Sequence, residues 1–474
     1  MNQTDTPLVD ALRRASQRAH APFYTPGHKR GASSPLRTWW GAAVLAADLP
    51  ELPELDNLFA PNGPIYEAQR LAAEAFGADD TWFLANGSTA GVIAAILATC
   101  GPGDRLILPR NVHQSVVSGL VLSGAWPVFV PPVYAPDWGL ALGVAPGAIA
   151  AALERTPDAK AVLLVSPTYY GTCSDLGAIA QSCHGRNVPL LVDEAHGAHF
   201  VAHPDLPPTA LAVGADVAVQ STHKTLSSLT QSAMVHRQGE RVSANRLAQA
   251  LQLVQSTSPS YLLLASLDAA RQQLVTCGKA LLAQTLKLSA VARQQLVALP
   301  SLRVLASEAI APLTLDRTRL TVDVSGLGIT GYEADEWLHE RGVTAELPEL
   351  RSLTFIPSLG STKADLEQLV AAFAELVTTA SGSAPPVADI ALPIPALGCS
   401  PREAFFASGE LVATGRAVGR ICKATVCPYP PGIPALLPGE VISKDVLEQL
   451  RAIAASGGVI TGCDPGLKIL EVVK

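Results

Sequence analysis

From Glu67 to His236, short apolar runs alternate with stretches of helical periodicity, and this alternation constrains the fold more than any other feature. EAQRLAAEAFGA is helical, TWFLA reads as a strand, and NGST opens a second helix, AGVIAAILATC. Then come RLILP, a helix from His113 to Ser123, WPVFV, a helix around Pro146–Arg155, and AVLLVS. A helix after Asp175 leads to VPLLVDEAH, DVAVQ and SAMVH. Strand-length runs of this kind, separated by helices, predict an α/β fold with a mostly parallel sheet covered on both faces. Ligands of such sheets bind at the carboxyl ends of the strands.

The flanking regions differ. Residues 1–66 are rich in Pro, Gly and Trp with little periodicity, and read as an ordered arm because Leu and aromatics recur among the turn signals. Residues 67–300 form the large domain, closing on a long helical segment that begins YLLLASLDAARQQ. Residues 301–380 (RLTVDVS, YEADEWLHERG, RSLTFIP, KADLEQLVAAFAELV) make a small α+β domain. Residues 381–395 have the Ser/Pro/Gly composition of a linker, and 396–474 form a C-terminal α+β domain carrying PREAFF and CPYPPGIPALLPGE. A length of 474 residues suits about three domains. No apolar run nears the roughly 18 residues of a membrane helix, and the first residues lack a secretory pattern. Eight scattered cysteines read as reduced thiols, and a net charge of −7 argues against nucleic acid as the main partner. A cytoplasmic protein without membrane or nucleic-acid partners is expected.

Four loops at strand ends carry the candidate chemistry. NGST (Asn86–Thr89) opens a helix and offers Ser88 and Thr89 to an anion, although both are also ordinary helix caps. His113 begins another helix, where a cap or a surface residue is the plain alternative. Asp193 closes the apolar run PLLVD, as a ligand or a turn former. Ser221, His223 and Lys224 follow DVAVQ. A phosphate cradle, an aromatic ring, a carboxylate and a lysine thus follow one another along one sheet edge. Pyridoxal 5′-phosphate needs that set: donors for its phosphate, a stacking partner, a carboxylate for the pyridine nitrogen and a lysine for its aldehyde.

On TPGHK, LPELDNL, NGST, RNVHQS, PTYYG, VDEAHGAH, QSTHK and PYPPGIP, the chain resembles the fold-type I pyridoxal-phosphate decarboxylases of the ornithine/lysine/arginine group, especially the short bacterial biosynthetic arginine decarboxylases. The resemblance implies that Lys224 is the Schiff-base lysine, that Asp193 pairs with the pyridinium nitrogen and that His113 stacks on the ring. Ser88, Thr89, Ser221 and His223 would hold the phosphate, and His196 would lie close to cofactor or substrate. Larger members carry an amino-terminal regulatory domain for which this chain has no room, so acid-induced assembly of that kind is not expected. A homodimer or higher homo-oligomer is expected. His196, His199 and His203 could be read as metal ligands, but the general base of an HExxH site is absent and no metal is expected.

The implied reaction is decarboxylation of a basic L-amino acid, arginine to agmatine and CO2 for polyamine biosynthesis, with lysine or ornithine as alternatives. A fold-sharing aminotransferase would require an arginine for the α-carboxylate, with Arg351 as its candidate; a non-catalytic regulatory relative is the other rival. The distal cation must meet a carboxylate. Glu54, Asp56, Glu403 and Glu440 are candidates that motifs alone do not separate, and PYPPGIP is expected at the pocket mouth.

Overall fold

The computed structural model describes residues 1–380, 394–429 and 432–474; most of the expected linker, and Pro430 and Pro431 of PYPPGIP, lie outside the described residues. In chain order the principal elements begin with α1 (Pro7–Gln17), α2 (Pro64–Phe76), β1 (Asp80–Leu84), α3 (Gly87–Thr99) and β2 (Arg105–Pro109). They continue through α4 (Gln114–Ser123), β3 (Trp126–Val130), α5 (Pro146–Arg155), β4 (Ala159–Val165) and α6 (Leu176–His184). Next are β5 (Leu190–Asp193), β6 (Val217–Gln220), β7 (Ala233–Arg237), α7 (Ala244–Val254) and α8 (Tyr261–Val297). Then follow β8 (Arg303–Val304), β9 (Leu320–Asp323), α9 (Gly331–His339), β10 (Leu347–Pro348), β11 (Ser352–Phe355) and α10 (Lys363–Thr379). The last are α11 (Pro401–Phe406), β12 (Gly409–Ala413), α12 (Lys444–Ala455) and β13 (Ile469–Val473). The fold class is α/β, a mostly parallel sheet flanked by helices.

The chain divides into two compact units, residues 1–98 with 192–282, and residues 99–191 with 283–474. In the first, β1, β7, β6 and the end of β5 lie side by side. β1 is antiparallel to β7, and β7 to β6, so β1 and β6 point the same way. α3 (GSTAGVIAAILAT) is buried along most of its length. Gly91 sets its approach: a Cβ there would stand 2.7 Å from side-chain carbons of Val219 and Val235 and 2.8 Å from Leu84. Only glycine lets the helix lie this close to three strands.

The arm is more regular than its composition suggests. α1 starts at Pro7, a favoured first helical position, and buries Leu8, Ala11, Leu12 and Ala15 at helical spacing. It is latched to α8 by charge. Asp268 accepts the Leu8 N–H at 3.0 Å, while Arg271, paired with Asp268, donates to the carbonyls of Gln3 and Asp5 at 2.6 Å each. Both charged side chains are fully buried.

In the second unit, β2 pairs in parallel with β3 and β4. β8, β9, β11 and β10 form an antiparallel sheet in that order, and Leu320, Val322, Leu338, Leu353, Phe355, Leu369 and Phe373 share its core. Capping boxes start α9 (Thr330 with Glu333) and α10 (Thr362 with Asp365). A separate core around Val426, Leu436, Val446 and Leu450 belongs to the terminal segment, where β12 and β13 pair antiparallel.

Candidate active site

Because β1 and β6 run in the same direction, their carboxyl ends share one edge of the first unit. Ser88, on the first turn of α3, and Ser221, directly after β6, meet there, with Ser221 Oγ donating to Ser88 Oγ at 2.7 Å. Two hydroxyls beside the open N–H groups of a 13-residue helix offer donors and a positive dipole end, which suit a phosphate. Gly87, at φ +76°, makes the tight entry to this helix. Thr89 is exposed on the same turn.

A single helical turn, Thr222–Thr225, follows Ser221 and carries Lys224. Lys224 Nζ lies 3.1 Å from His196 Nε2. With the ammonium donating, Nε2 accepts and the ring hydrogen of His196 is on Nδ1. His223 donates from Nδ1 to the Ser232 carbonyl at 2.9 Å, closing the loop behind the lysine. Asp193 ends β5, buried, with Oδ1 accepting the Ala195 N–H at 3.1 Å. Burial pushes its carboxyl above the usual carboxylate range, against the opposing pull of the Lys224 charge and the Ala195 N–H. Donors for a phosphate, a buried carboxylate and a lysine with a histidine partner thus occur in one unit. That set fits pyridoxal 5′-phosphate.

His113 stands in the second unit, where it caps α4 rather than starting it. Its Nδ1 accepts the Ser115 N–H at 3.2 Å and lies 2.9 Å from Ser115 Oγ. The terminal segment reaches this loop: Gln114 N–H donates to Gly432 O at 3.1 Å, and a Cβ on Gly432 would stand 3.2 Å from His113 Nε2. Arg110 clamps the same segment. Its Nε and Nη2 donate to the two carboxylate oxygens of Glu440 at 2.8 and 2.9 Å, and its guanidinium also bonds the carbonyls of Pro434 and Ala435.

The four candidate carboxylates for a distal cation already have partners. Glu440 is held by Arg110 and accepts the Leu437 N–H at 2.8 Å. Asp56 accepts backbone N–H groups of Asn57, Asn62, Gly63 and Tyr66. Glu403 closes a capping box with Ser400, and Glu54 pairs with Arg18 at 3.1 Å. Arg351 lies 3.9 Å from the buried Asp323. Of the three histidines read as a possible metal set, His196 faces Lys224, while His203 Nδ1 accepts the Asp205 N–H at 3.2 Å.

Sequence reasoning stopped at Asp193 and Ser221 and passed over their neighbours Glu194 and Gln220, which are buried and bonded to each other at 2.8 Å. The signal was present: a glutamine inside DVAVQ and a second acid after PLLVD are polar groups where an apolar strand predicts none.

Residues 6–316 match the Orn/Lys/Arg decarboxylase major domain, and residues 393–468 match the Orn/Lys/Arg decarboxylase C-terminal domain. The chain is 41% identical to an arginine decarboxylase of Halalkalibacterium halodurans over 482 residues, covering 100% of this chain and 98% of that one. It is 39% identical to an arginine decarboxylase of Bacillus subtilis, covering 100% and 99%. Among solved structures, lysine decarboxylase A from Pseudomonas aeruginosa superposes with a TM-score of 0.86 at 24% identity, over 99% of this chain and 81% of that one. The constitutive lysine decarboxylase of Escherichia coli gives 0.85 at 22%, over 100% and 82%. Both share the fold.

Proposed function

The chain belongs to the Orn/Lys/Arg decarboxylase family, and from that premise we propose that it decarboxylates arginine to agmatine and CO2 with pyridoxal 5′-phosphate as cofactor. Full-length identity of 39–41% to proteins named arginine decarboxylase supports the substrate. The observation that carries the chemistry is the contact of Lys224 with His196 in the unit that also buries Asp193 and joins Ser88 to Ser221.

The Ser88 and Ser221 hydroxyls, with Thr89, His223 and the N–H groups of α3, would hold the phosphate. Asp193 would face the ring nitrogen, Lys224 the aldehyde, and His113 the ring. When bound, the cofactor supplies an electron sink for the pair released when the carboxyl group leaves. Asp193 would set its carboxylate against the ring nitrogen, and a cation there would join Lys224 and the Ala195 N–H in opposing the burial that raises its carboxyl. His196 Nε2 accepts from Lys224 Nζ, so His196 could take a proton from the lysine amine or return one to it. Asp193, His196 and Ser221 are buried, which would limit water around the carboxylate, while Lys224 is half-buried.

The exposed aromatics of the arm support a homodimer. Phe23 and Trp39 are 95% and 79% exposed, which a second copy would relieve. Sedimentation at assay concentration tests this, and a fully active monomer would refute it. Eight free cysteines support a cytoplasmic location, and agmatine supports a place in polyamine biosynthesis. The functional test is incubation of the purified protein with arginine, lysine and ornithine separately. Agmatine and CO2 without a keto-acid acceptor are expected; putrescine or cadaverine as the main product would move the substrate, and transamination would overturn the reaction.

A further inference from the structure

Asp193 and Ser221 each have a neighbour of opposite parity. Successive residues of an extended strand face opposite sides of the sheet, so Glu194 and Gln220 look away from the site. There they join His236 and Thr81 in a chain that crosses the first unit's strands. Glu194 Oε1 accepts the Ala210 N–H at 2.7 Å, and its Oε2 accepts from Gln220 Nε2 at 2.8 Å. Gln220 Oε1 lies 3.1 Å from His236 Nε2, and His236 Nδ1 lies 2.8 Å from Thr81 Oγ1. Phe76 covers the imidazole at 4.6 Å between ring centroids. All four polar residues are buried, none more than 5% exposed.

Polar groups in such a place are costly unless bonded, and bonded ones enforce a single geometry. The chain also has a direction. Ionised, Glu194 only accepts, so Gln220 turns its NH2 toward Glu194 and its oxygen toward His236. Burial raises Glu194 to about 8 against the pull of the Gln220 and Ala210 donors, so this direction belongs to pH above that value. His236 then carries its hydrogen on Nε2, and Nδ1 takes the Thr81 hydroxyl hydrogen. Burial lowers His236 to about 3, so the ring is neutral, as this pattern requires.

We propose that Glu194, acting through Gln220, is a positioning residue for the decarboxylation site: it fixes the carboxyl ends of β5 and β6 against each other, and with them Asp193, Ser221 and Lys224. This rests on the cofactor roles proposed above. The backbone bond from Glu194 N–H to Val219 O, 2.9 Å, ties the same two strand ends, so the side-chain chain reinforces a junction already in register.

Glu194→Gln reverses the chain without breaking it. The new amide donates to a flipped Gln220, whose NH2 now faces His236; the imidazole hydrogen moves to Nδ1 and is donated to Thr81 Oγ1. Glu194→Ala breaks it and leaves the Gln220 amide and the Ala210 N–H without their acceptor.

The test combines pyridoxal 5′-phosphate binding to the apoprotein, the pH at which the visible band titrates, thermal stability, and the nitrogen-15 shifts of His236. Glu194→Ala should weaken cofactor binding about tenfold or more and move the band's titration, while Glu194→Gln stays within about threefold and shows the imidazole hydrogen on Nδ1. Loss of thermal stability in Glu194→Ala with binding and titration unchanged would overturn the proposal, as would equal losses in the two variants. If Glu194→Ala does not fold, the Glu194→Gln tautomer decides: hydrogen on Nδ1 with near-normal binding supports the proposal, and hydrogen remaining on Nε2 overturns it. Failure of the underlying reading would look different, since wild-type protein would then show no visible band at all.

Discussion

Glu440→Ala strands a guanidinium. In the folded chain Glu440 is 0% exposed and Arg110 11%. The substitution removes three bonds to the carboxylate, from Arg110 Nε at 2.8 Å, Arg110 Nη2 at 2.9 Å and Leu437 N–H at 2.8 Å. Arg110 keeps only the carbonyls of Pro434 and Ala435, at 2.8 and 3.0 Å. Removing one partner of a buried pair costs about 3–5 kcal/mol. The two surviving carbonyl bonds place this case at the lower end, about 3 kcal/mol, equivalent to about a hundredfold rise in local opening. Native-state hydrogen exchange reads it at Val426 and Leu436, whose amides bond across this segment at 3.0 and 3.1 Å. Protection should fall by about two orders of magnitude. The double variant Arg110→Met/Glu440→Leu should recover much of it, because no charge is left behind. A change under threefold in the single variant would refute the premise that the pair holds the terminal segment.

Lys224→Ala should abolish the visible cofactor band and turnover while the far-ultraviolet spectrum stays unchanged; substantial residual decarboxylation would remove the lysine from its role. Asp193→Asn should keep cofactor but lose about a hundredfold or more in rate, since its charge acts mainly in the transition state; equal losses in binding and rate would make it structural. Glu349 tests linkage. Burial raises its carboxyl to about 7 even though Tyr170 OH donates to Oε1 at 2.8 Å, and its Oε2 is buried without a partner. A folded value above the unfolded one means that its contribution is full below about pH 4 and is lost as pH rises through 7. Glu349→Gln should therefore raise unfolding stability at pH 8 by about 3 kcal/mol and change little at pH 4.5, as read by urea titration. Destabilisation at pH 8 would contradict that sign.

Periodicity carried the strands and helices of the α/β region because burial on both faces leaves little choice of residue. The register of α3 against β6 and β7 was not legible, since it depends on Gly91 meeting side chains well over a hundred positions away. α1 was hidden by composition: four buried apolar positions in PLVDALRRASQ carry the helix, but the Pro and charged residues around them left it as part of an ordered arm with little periodicity. The cofactor-type residues were legible because their chemistry restricts residue type at strand ends. Glu194, Gln220 and His236 were not, because a buried polar residue declares its use only through a partner on another strand. The present partners of the candidate carboxylates were not legible for a related reason. Glu440 and Glu403 look available in one dimension, and only the folded chain shows Arg110 and Ser400 already holding them.

The Asp268–Arg271 latch has a consequence for how the arm responds to ionic strength. An exposed pair such as Arg18–Glu54 is surrounded by solvent and weakens as salt shortens the Debye length. The latch admits no counterions, since both its charges are sealed inside, and Nη1 and Nη2 of Arg271 also hold the carbonyls of Gln3 and Asp5. Salt therefore loosens the contacts at Arg18 while leaving α1 anchored. Peeling the start of α1 away would bare two charges at once, so that end stays fixed. The amides of Leu8 and Val9, held by Asp268, should therefore exchange as slowly in concentrated brine as in dilute buffer.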